Sequence, residues 1–308
     1  MKLRQIRSFV QSHLPYSLAI KPYDPARSLG FMHIPKTSGT AVTHSLADAT
    51  GSQRWIYGFD HVLFGGFDGY DSIDPTIRSH IHADPTTLPK DVDFVSGHLA
   101  LSTLTTRYPT TQLVTFLREP NSRILSLWLY CRAFTDEQLR GWGDWQRYLH
   151  KAREPLAQFL SFRALGCQVD NIYVRMLLCP HPFIPQNDFI DPRHDEILLR
   201  DAFRRLTFFA YTDVIENPDF EANLQAWLGA PFNYARVNET NSMPGALKAP
   251  LHNELTSEAL DLLDARGRLD LCLWNELAHQ RVTQVTPQGL RAQTLTRTVA
   301  RHSWLIAC

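Results

Sequence analysis

The chain has 308 residues, enough for one large α/β domain or for a core domain with a helical addition. Apolar residues make up 44% and charged residues 20%, and 31 basic side chains balance 31 acidic ones. That balance disfavours nucleic acid as a general partner, because binding by overall attraction to a polyanion takes a basic surplus; an anion site here has to be local.

The N-terminus, MKLRQIRSFVQSHLPYSLAI, is basic but interrupted by Gln11, Ser12, His13 and Pro15, so it makes a poor signal peptide. No run approaches the roughly 18 apolar residues of a membrane span, so no transmembrane segment is expected and the default location is cytoplasmic. Cys131, Cys167, Cys179, Cys272 and Cys308 are scattered, with no CxxC pair and no metal-ligand spacing. They read as reduced thiols, with a disulfide in an oxidising compartment as the alternative, and no metal site is expected. A single domain over 1–308 is expected, with residues 1–28 as a lead-in, 51–90 as a loop-rich insertion and 283–308 as a C-terminal tail.

The first element is the apolar run Phe31-Met32-His33-Ile34, which reads as a buried strand ended by Pro35. Lys36-Thr37-Ser38-Gly39-Thr40 then turns into a helical stretch from Ala41 to Leu46. The stretch 51–90 is rich in Gly, Asp, His, Thr and Pro and reads as long loops with short elements. DVDFVSGHL (91–99) is a short β-like run, and TQLVTFLREP (111–120) is the strongest strand signal, stopped by Pro120. NSRILSLWLYCRAF (121–134) has helical apolar spacing, with Asn121 as its cap. Residues 144–180 read as helices with polar breaks. LTFFAYTDVIEN (206–217) reads as a strand running into a turn, PDFEANLQAWLG (218–229) as a helix, and 256–282 as a long helical region with Gly267 as a break point. Strands alternating with helices predict an α/β fold with a mainly parallel sheet flanked by helices.

Two strand–loop–helix units carry chemistry. A strand entering a tight turn and then a helix aims backbone N–H groups and the positive end of the helix dipole at one spot. In the first unit Gly39 permits close approach of an anion, Thr37, Ser38 and Thr40 add hydroxyls, and Lys36 adds a point charge. The plainer alternative is an ordinary βα turn with a capping threonine. A nucleotide-triphosphate loop of the form GxxxxGK[ST] is not present, because Lys36 precedes Gly39 and the leading glycine is missing. In the second unit Arg118 stands where the strand runs out, and Ser122 and Ser126 lie one turn apart on one face of the following helix. An arginine fork with a serine hydroxyl suits a phosphate monoester, although a surface arginine and a solvent-facing serine are an equal alternative. Two such sites together would hold a ligand with phosphates at both ends.

HIPKTSGT followed by FLREPNSRILSLW resembles the two cofactor-binding signatures of sulfotransferases that use 3′-phosphoadenosine-5′-phosphosulfate (PAPS). The similarity is to the carbohydrate group that includes heparan sulfate 2-O-sulfotransferases and bacterial enzymes. The resemblance implies a P-loop-kinase-like sulfotransferase fold and PAPS as co-substrate without a metal. It implies that Lys36, Thr37, Ser38, Gly39 and Thr40 hold the 5′-phosphosulfate and that Arg118 and Ser126 hold the 3′-phosphate. The Ser96-Gly97-His98 sequence lies where the family carries its catalytic base, which points to His98 as the proton acceptor; a histidine closing a strand by a backbone hydrogen bond is the alternative. Lys36 would stabilise charge on the leaving phosphate. His61 is a rival base and a candidate substrate contact. Asn171 and Arg175 match a family helix that faces the active site, Thr212-Asp213 stands where the family has Thr-Glu, and 236–245 falls where a loop closes over the nucleotide. His33, by contrast, reads as a packed core histidine. The expected acceptor bears a hydroxyl, on a glycan, a glycolipid or a small alcohol; the neutral overall charge speaks against a highly sulfated polymer. A kinase on the same scaffold, or a carbohydrate-binding relative without turnover, are the alternatives.

Overall fold

The structure is a computed structural model that describes residues 18–233 and 251–307. Its centre is a six-stranded sheet in the order β3-β2-β4-β1-β5-β6, with every neighbouring pair parallel. The strands are β1 (Leu29–Met32), β2 (Trp55–Asp60), β3 (Ile81–His82), β4 (Phe94–His98), β5 (Gln112–Leu117) and β6 (Tyr211–Val214). The longer helices are α1 (Gly39–Ala49), α2 (Leu101–Arg107), α3 (Pro120–Arg132), α4 (Ile172–Leu178), α5 (Asp195–Leu206), α6 (Phe220–Leu228), α7 (Ser257–Arg266), α8 (Arg268–Arg281) and α9 (Pro287–Ala307).

Alternation along the strands divides the core in two, because successive side chains point to opposite faces. Leu29, Phe31, Phe94, Val114, Phe116 and Tyr211 pack with Val42 and Leu46 of α1 and with Phe220 and Leu224 of α6. Met32, Val95, Leu113 and Leu117 face a larger core that includes Leu104, Ile124, Trp128, Tyr173 and Trp274. Helices therefore cover both faces, as an all-parallel sheet requires. No helix among the described residues is long and apolar enough to cross a membrane.

The 51–90 stretch is more ordered than its composition implies. It supplies β2, which pairs with β4 over Trp55–Phe59, and β3 at the sheet edge. Val62, Leu63, Phe64, Phe67, Ile73 and Leu88 from the same stretch enter the large core. The strand was hidden by Gly58 in its middle and by an irregular burial pattern, so no clean period of two could be read. The C-terminal tail also gives way to structure. Residues 287–307 form α9, which docks through Leu290, Thr294 and Thr298, with Thr298 Oγ1 3.1 Å from Ser122 Oγ. Ser122 is thus fully buried against α9. The cap of α3 is Glu119, whose carboxylate accepts the Ser122 N–H at 2.6 Å; Asn121 instead donates to Asp264 at 2.9 Å. Gly267 does separate α7 from α8.

β1 lies inside the sheet, with β4 on one side and β5 on the other. The chain leaves β1 toward one flank and later fills the other. The carboxyl ends of β4, β1 and β5 therefore border a topological switch point, where open α/β sheets form their crevice. The loop after β1, His98 at the end of β4 and Arg118 just past β5 all fall there.

Candidate active site

The loop from Pro35 to Ser38 is held in an uncommon conformation. Lys36 has φ 67° and Ser38 φ 63°, and among the described residues Asn171 alone joins them as a non-glycine with positive φ. Left-handed backbone costs such residues on the order of 1 kcal/mol each, and a turn of this kind points backbone N–H groups into one concavity. Thr37 is fully buried and its hydroxyl donates to the Ile34 carbonyl at 2.8 Å, so it latches the loop instead of facing a ligand. Ser38 is the N-cap of α1 but makes no side-chain cap hydrogen bond, which leaves the first N–H groups of α1 to another acceptor. Thr40, in that first turn, is exposed. Gly39 has a nearer reason to be glycine than the approach of an anion: a Cβ there would stand 1.7 Å from His33 Nε2.

Lys36 and Arg118 meet at the crevice floor. Arg118 Nη1 donates to the Lys36 carbonyl at 3.1 Å, and the Arg118 N–H and carbonyl are both held by the Tyr173 hydroxyl. The Lys36 ammonium sits 3.9 Å from the centre of the Tyr130 ring, a cation–π contact. Burial lowers the Lys36 pKa to about 8, with Cys131 opposing the shift and Arg118 adding to it. From Pro120 to Cys131, α3 is buried except at Ser126 and Tyr130. These two lie one turn apart on one face, so the face that carries Tyr130 to Lys36 also presents Ser126. Two cations, a left-handed loop, an uncapped helix start and a serine hydroxyl make a donor set that fits phosphate groups.

His98 closes β4 in a tight cluster. Its Nδ1 is 2.7 Å from the His33 carbonyl, and its Nε2 is 3.3 Å from the Tyr57 hydroxyl, which lies 3.3 Å from His33 Nδ1 as well. Gly97 makes this packing feasible: its φ is 148°, and a Cβ would stand 2.0 Å from the Gly58 carbonyl of β2. Burial pulls His98 down to about 4, against the bond to the His33 carbonyl and with help from Lys36. His33 is pushed well below its ordinary value, first by burial and then by His98 and Lys36. Both rings are neutral at pH 7 and keep a nitrogen lone pair. His33 is buried, as the sequence reading held, yet it is wired to His98.

His61 follows β2 and turns toward the other face of the sheet. Its Nδ1 pairs with the buried Asp60 at 2.8 Å, and that hydrogen bond raises its pKa against partial burial. Asp60 also accepts from Val62 N–H and from the Thr103 hydroxyl on α2. Strand alternation thus sends Tyr57 and Phe59 to the His98 side and Asp60 to the α2 side. His61 is not among the residues that touch His98.

Asn171 and Arg175, read as ligand contacts, are both buried with their polar atoms engaged by the fold. Asn171 is fully buried; its Oδ1 accepts from Leu269 N–H at 2.8 Å and Asp270 N–H at 3.4 Å, the start of α8. Asp270 returns the favour, accepting from Tyr173 and Val174 N–H groups at the start of α4. Two helix N-termini therefore cap one another. Arg175 is buried too, and donates to the carbonyls of Asp170, Pro185 and Asp188 and to the Asp170 carboxylate. Asp213 is likewise enclosed, held by Asn217 and Tyr211. The acidic group that does approach Arg118 is Glu216: burial raises its pKa to about 7, while Glu119 N–H, Arg118 and Trp274 pull it back. Residues 236–245 lie outside the described residues.

Tyr57, Tyr130 and Glu216 were not singled out from the sequence. Tyr130 was within reach, since it stands one turn beyond Ser126; Tyr57 sat in a stretch read as loop, and Glu216 is two residues past a strand end. A separate cleft of about 710 Å³ is lined by Arg163, Phe183, Phe189, His194, Arg266 and Arg268, and none of the motif residues belongs to it. Among the described residues, no group of three or more His, Cys, Asp or Glu is arranged to hold a metal ion. No protein-family model matches the chain, and no curated protein matches it.

Proposed function

We propose that the protein is a PAPS-dependent O-sulfotransferase with a P-loop-kinase-like sulfotransferase fold. The observation that carries the reading is the Arg118–Lys36 hydrogen bond at 3.1 Å. It ties together two loops that leave adjacent parallel strands at a switch point, as a nucleotide with phosphates at both ends requires. On this reading Lys36, Gly39, Thr40 and the N-terminus of α1 hold the 5′ end, with Ser38 backbone and Thr37 shaping the loop, and Arg118 with Ser126 holds the 3′-phosphate.

When bound, PAPS supplies a sulfuryl group, and the acceptor oxygen forms a bond to sulfur as the bond from sulfur to the 5′-phosphate oxygen breaks. The electron pair leaves on that phosphate, where Lys36 offsets the growing charge more strongly in the transition state than in the ground state. His98, neutral with its lone pair on Nε2, is the proton sink on the opposite side of the crevice floor. The acceptor is a hydroxyl on a glycan, a glycolipid or a small alcohol.

The test is the product nucleotide, 3′-phosphoadenosine-5′-phosphate (PAP). It is expected to raise the melting temperature of the wild type. Arg118→Ala should weaken its binding by about 10- to 100-fold, the loss of one or two charge-assisted hydrogen bonds. A melting temperature unmoved by saturating PAP would remove the cofactor assignment. Transfer of radiolabelled sulfate from PAPS to a panel of glycans, lipids and alcohols then identifies the acceptor class.

A further inference from the structure

We infer that Tyr57 is a proton-relay residue, taking the acceptor's proton on its oxygen as it passes its own to His98 Nε2. The inference rests on the transferase reading above.

Hydrogen-bond roles around His98 are fully determined. The His33 carbonyl can only accept, so the hydrogen of the His98 ring is on Nδ1 and the lone pair on Nε2. Tyr57 has one hydroxyl hydrogen and two nitrogen neighbours, each at 3.3 Å. Were that hydrogen directed at His33, the phenol oxygen and His98 Nε2 would face each other lone pair to lone pair. The stable arrangement has Tyr57 donating to His98 Nε2 and accepting from His33 Nδ1–H. The hydrogen bonds then run in one direction, from the His33 ring through Tyr57 and His98 back to the His33 carbonyl.

This arrangement has a consequence for the base. The one lone pair that His98 can offer is already occupied by Tyr57, and the pair is not free to separate. Tyr57 and His98 are on the same face of neighbouring strands, in register through Gly58 opposite Gly97 and Phe59 opposite His98. The Tyr57 ring is further packed edge-on against Phe59 at 5.5 Å. A proton leaving the acceptor therefore reaches Nε2 through the phenol oxygen.

The step balances. The acceptor O–H bond breaks and Tyr57 Oη gains that hydrogen. The original Tyr57 hydrogen moves to His98 Nε2, and His98 becomes an imidazolium whose Nδ1–H is held by the His33 carbonyl. Tyr57 ends as it began. Burial and Tyr130 raise the Tyr57 pKa above its ordinary value, so a free phenolate does not accumulate and the two transfers occur together.

Two measurements test this. In histidine-labelled protein without ligand, nitrogen NMR, assigned with His98→Gln, should show His98 as the Nδ1–H tautomer. Tyr57→Phe should move the Nε2 resonance and leave the tautomer unchanged. An Nε2–H tautomer overturns the relay. Separately, PAP release from PAPS is followed with water and simple alcohols as acceptors. Tyr57→Phe should lower kcat by about 100-fold or more while PAP affinity stays within about twofold. Retention of kcat within about threefold of wild type would mean direct proton removal by His98, and joint loss of PAP binding would mean a structural role; either overturns the proposal. So does a wild type that binds PAPS and leaves it intact. If the wild type does not bind PAP, the transferase reading fails and takes the relay with it. If PAP binds and the tautomer is Nε2–H, the relay alone falls.

Discussion

Replacing Asn171 separates a structural role from a ligand-binding one. Asn171→Ala removes the acceptor for two buried N–H groups at the start of α8, of which the Leu269 bond at 2.8 Å is the stronger. Loss of a helix cap costs about 1 kcal/mol, and an enclosed N–H left without a partner about 1–3 kcal/mol. The backbone adds a third contribution. Asn171 has φ 50°, where alanine pays the left-handed penalty of about 1–2 kcal/mol that asparagine partly escapes. Together these give a destabilisation of about 3–6 kcal/mol. Asn171→Gly loses the cap but keeps the conformational freedom, so it should be milder by about 1–2 kcal/mol. For a chain of this size each kcal/mol lowers Tm by about 2–4 °C, so the alanine variant should melt roughly 10 °C below wild type and the glycine variant between them. Urea unfolding and calorimetry measure both. Folded Asn171→Ala should bind PAP as the wild type does. An alanine variant within about 0.5 kcal/mol of wild type that instead loses acceptor turnover would refute the reciprocal cap and restore Asn171 to the ligand site.

Three further outcomes are expected. Lys36 titrates near 8 and binds an anion only when charged, so PAP affinity should fall as pH rises through about 8, by at most tenfold per unit, and Lys36→Arg should flatten the profile seen by titration calorimetry between pH 6.5 and 9.5. Glu216 has a folded pKa of about 7, above the carboxylate range. Between the unfolded and folded values the native state holds a proton that the unfolded chain has lost, so this group's contribution to stability declines as pH rises through that window. Glu216→Gln should therefore reduce the fall in urea stability between about pH 5 and 7.5; an unchanged slope would contradict it. Gly39→Ala should destabilise by more than about 2 kcal/mol through its collision with His33, and His33→Ala in the same chain should recover part of the loss, a coupling readable in a double-mutant cycle.

The strands that build the crevice were the most legible part of the sequence. β1 and β5 are buried along their length and followed by Pro35 and Pro120, so they could be read as largely hydrophobic runs, and β4, FVSGH, as a shorter β-like run. β2 was hidden because its core contacts are carried by scattered positions around Gly58, and no local period marks a strand that owes its existence to β4. Lys36 and Arg118 were legible because a place at a strand end is a local property, whereas Ser126 and His98 were named through the resemblance to the sulfotransferase signatures. Tyr57 was missed because its meaning depends on register with a strand far along the chain. Asn171 and Arg175 show a related limit. A polar pair on a helix looks alike in one dimension whether it faces a ligand or a buried helix end, and only the partners Leu269, Asp270 and Pro185 decide it.

Phe31 stands opposite Ser96 on one side of β1 and opposite Val114 on the other. These are long-range pairings, and loop-closure entropy must be overcome before either is rewarded, so they belong to the slow part of folding. Lys36, His98 and Arg118 come together only once both have formed. These groups span residues 36 to 118, so no short fragment of the chain contains the crevice, and on the proposed function an anion that binds it recognises the completed sheet and not its precursors. Such a ligand stabilises the native state by mass action and slows global unfolding without speeding collapse. On the proposed function the crevice is thereby a reporter of sheet completion, and in a refolding experiment the appearance of PAP binding should mark the moment at which the two halves of the sheet have closed around β1.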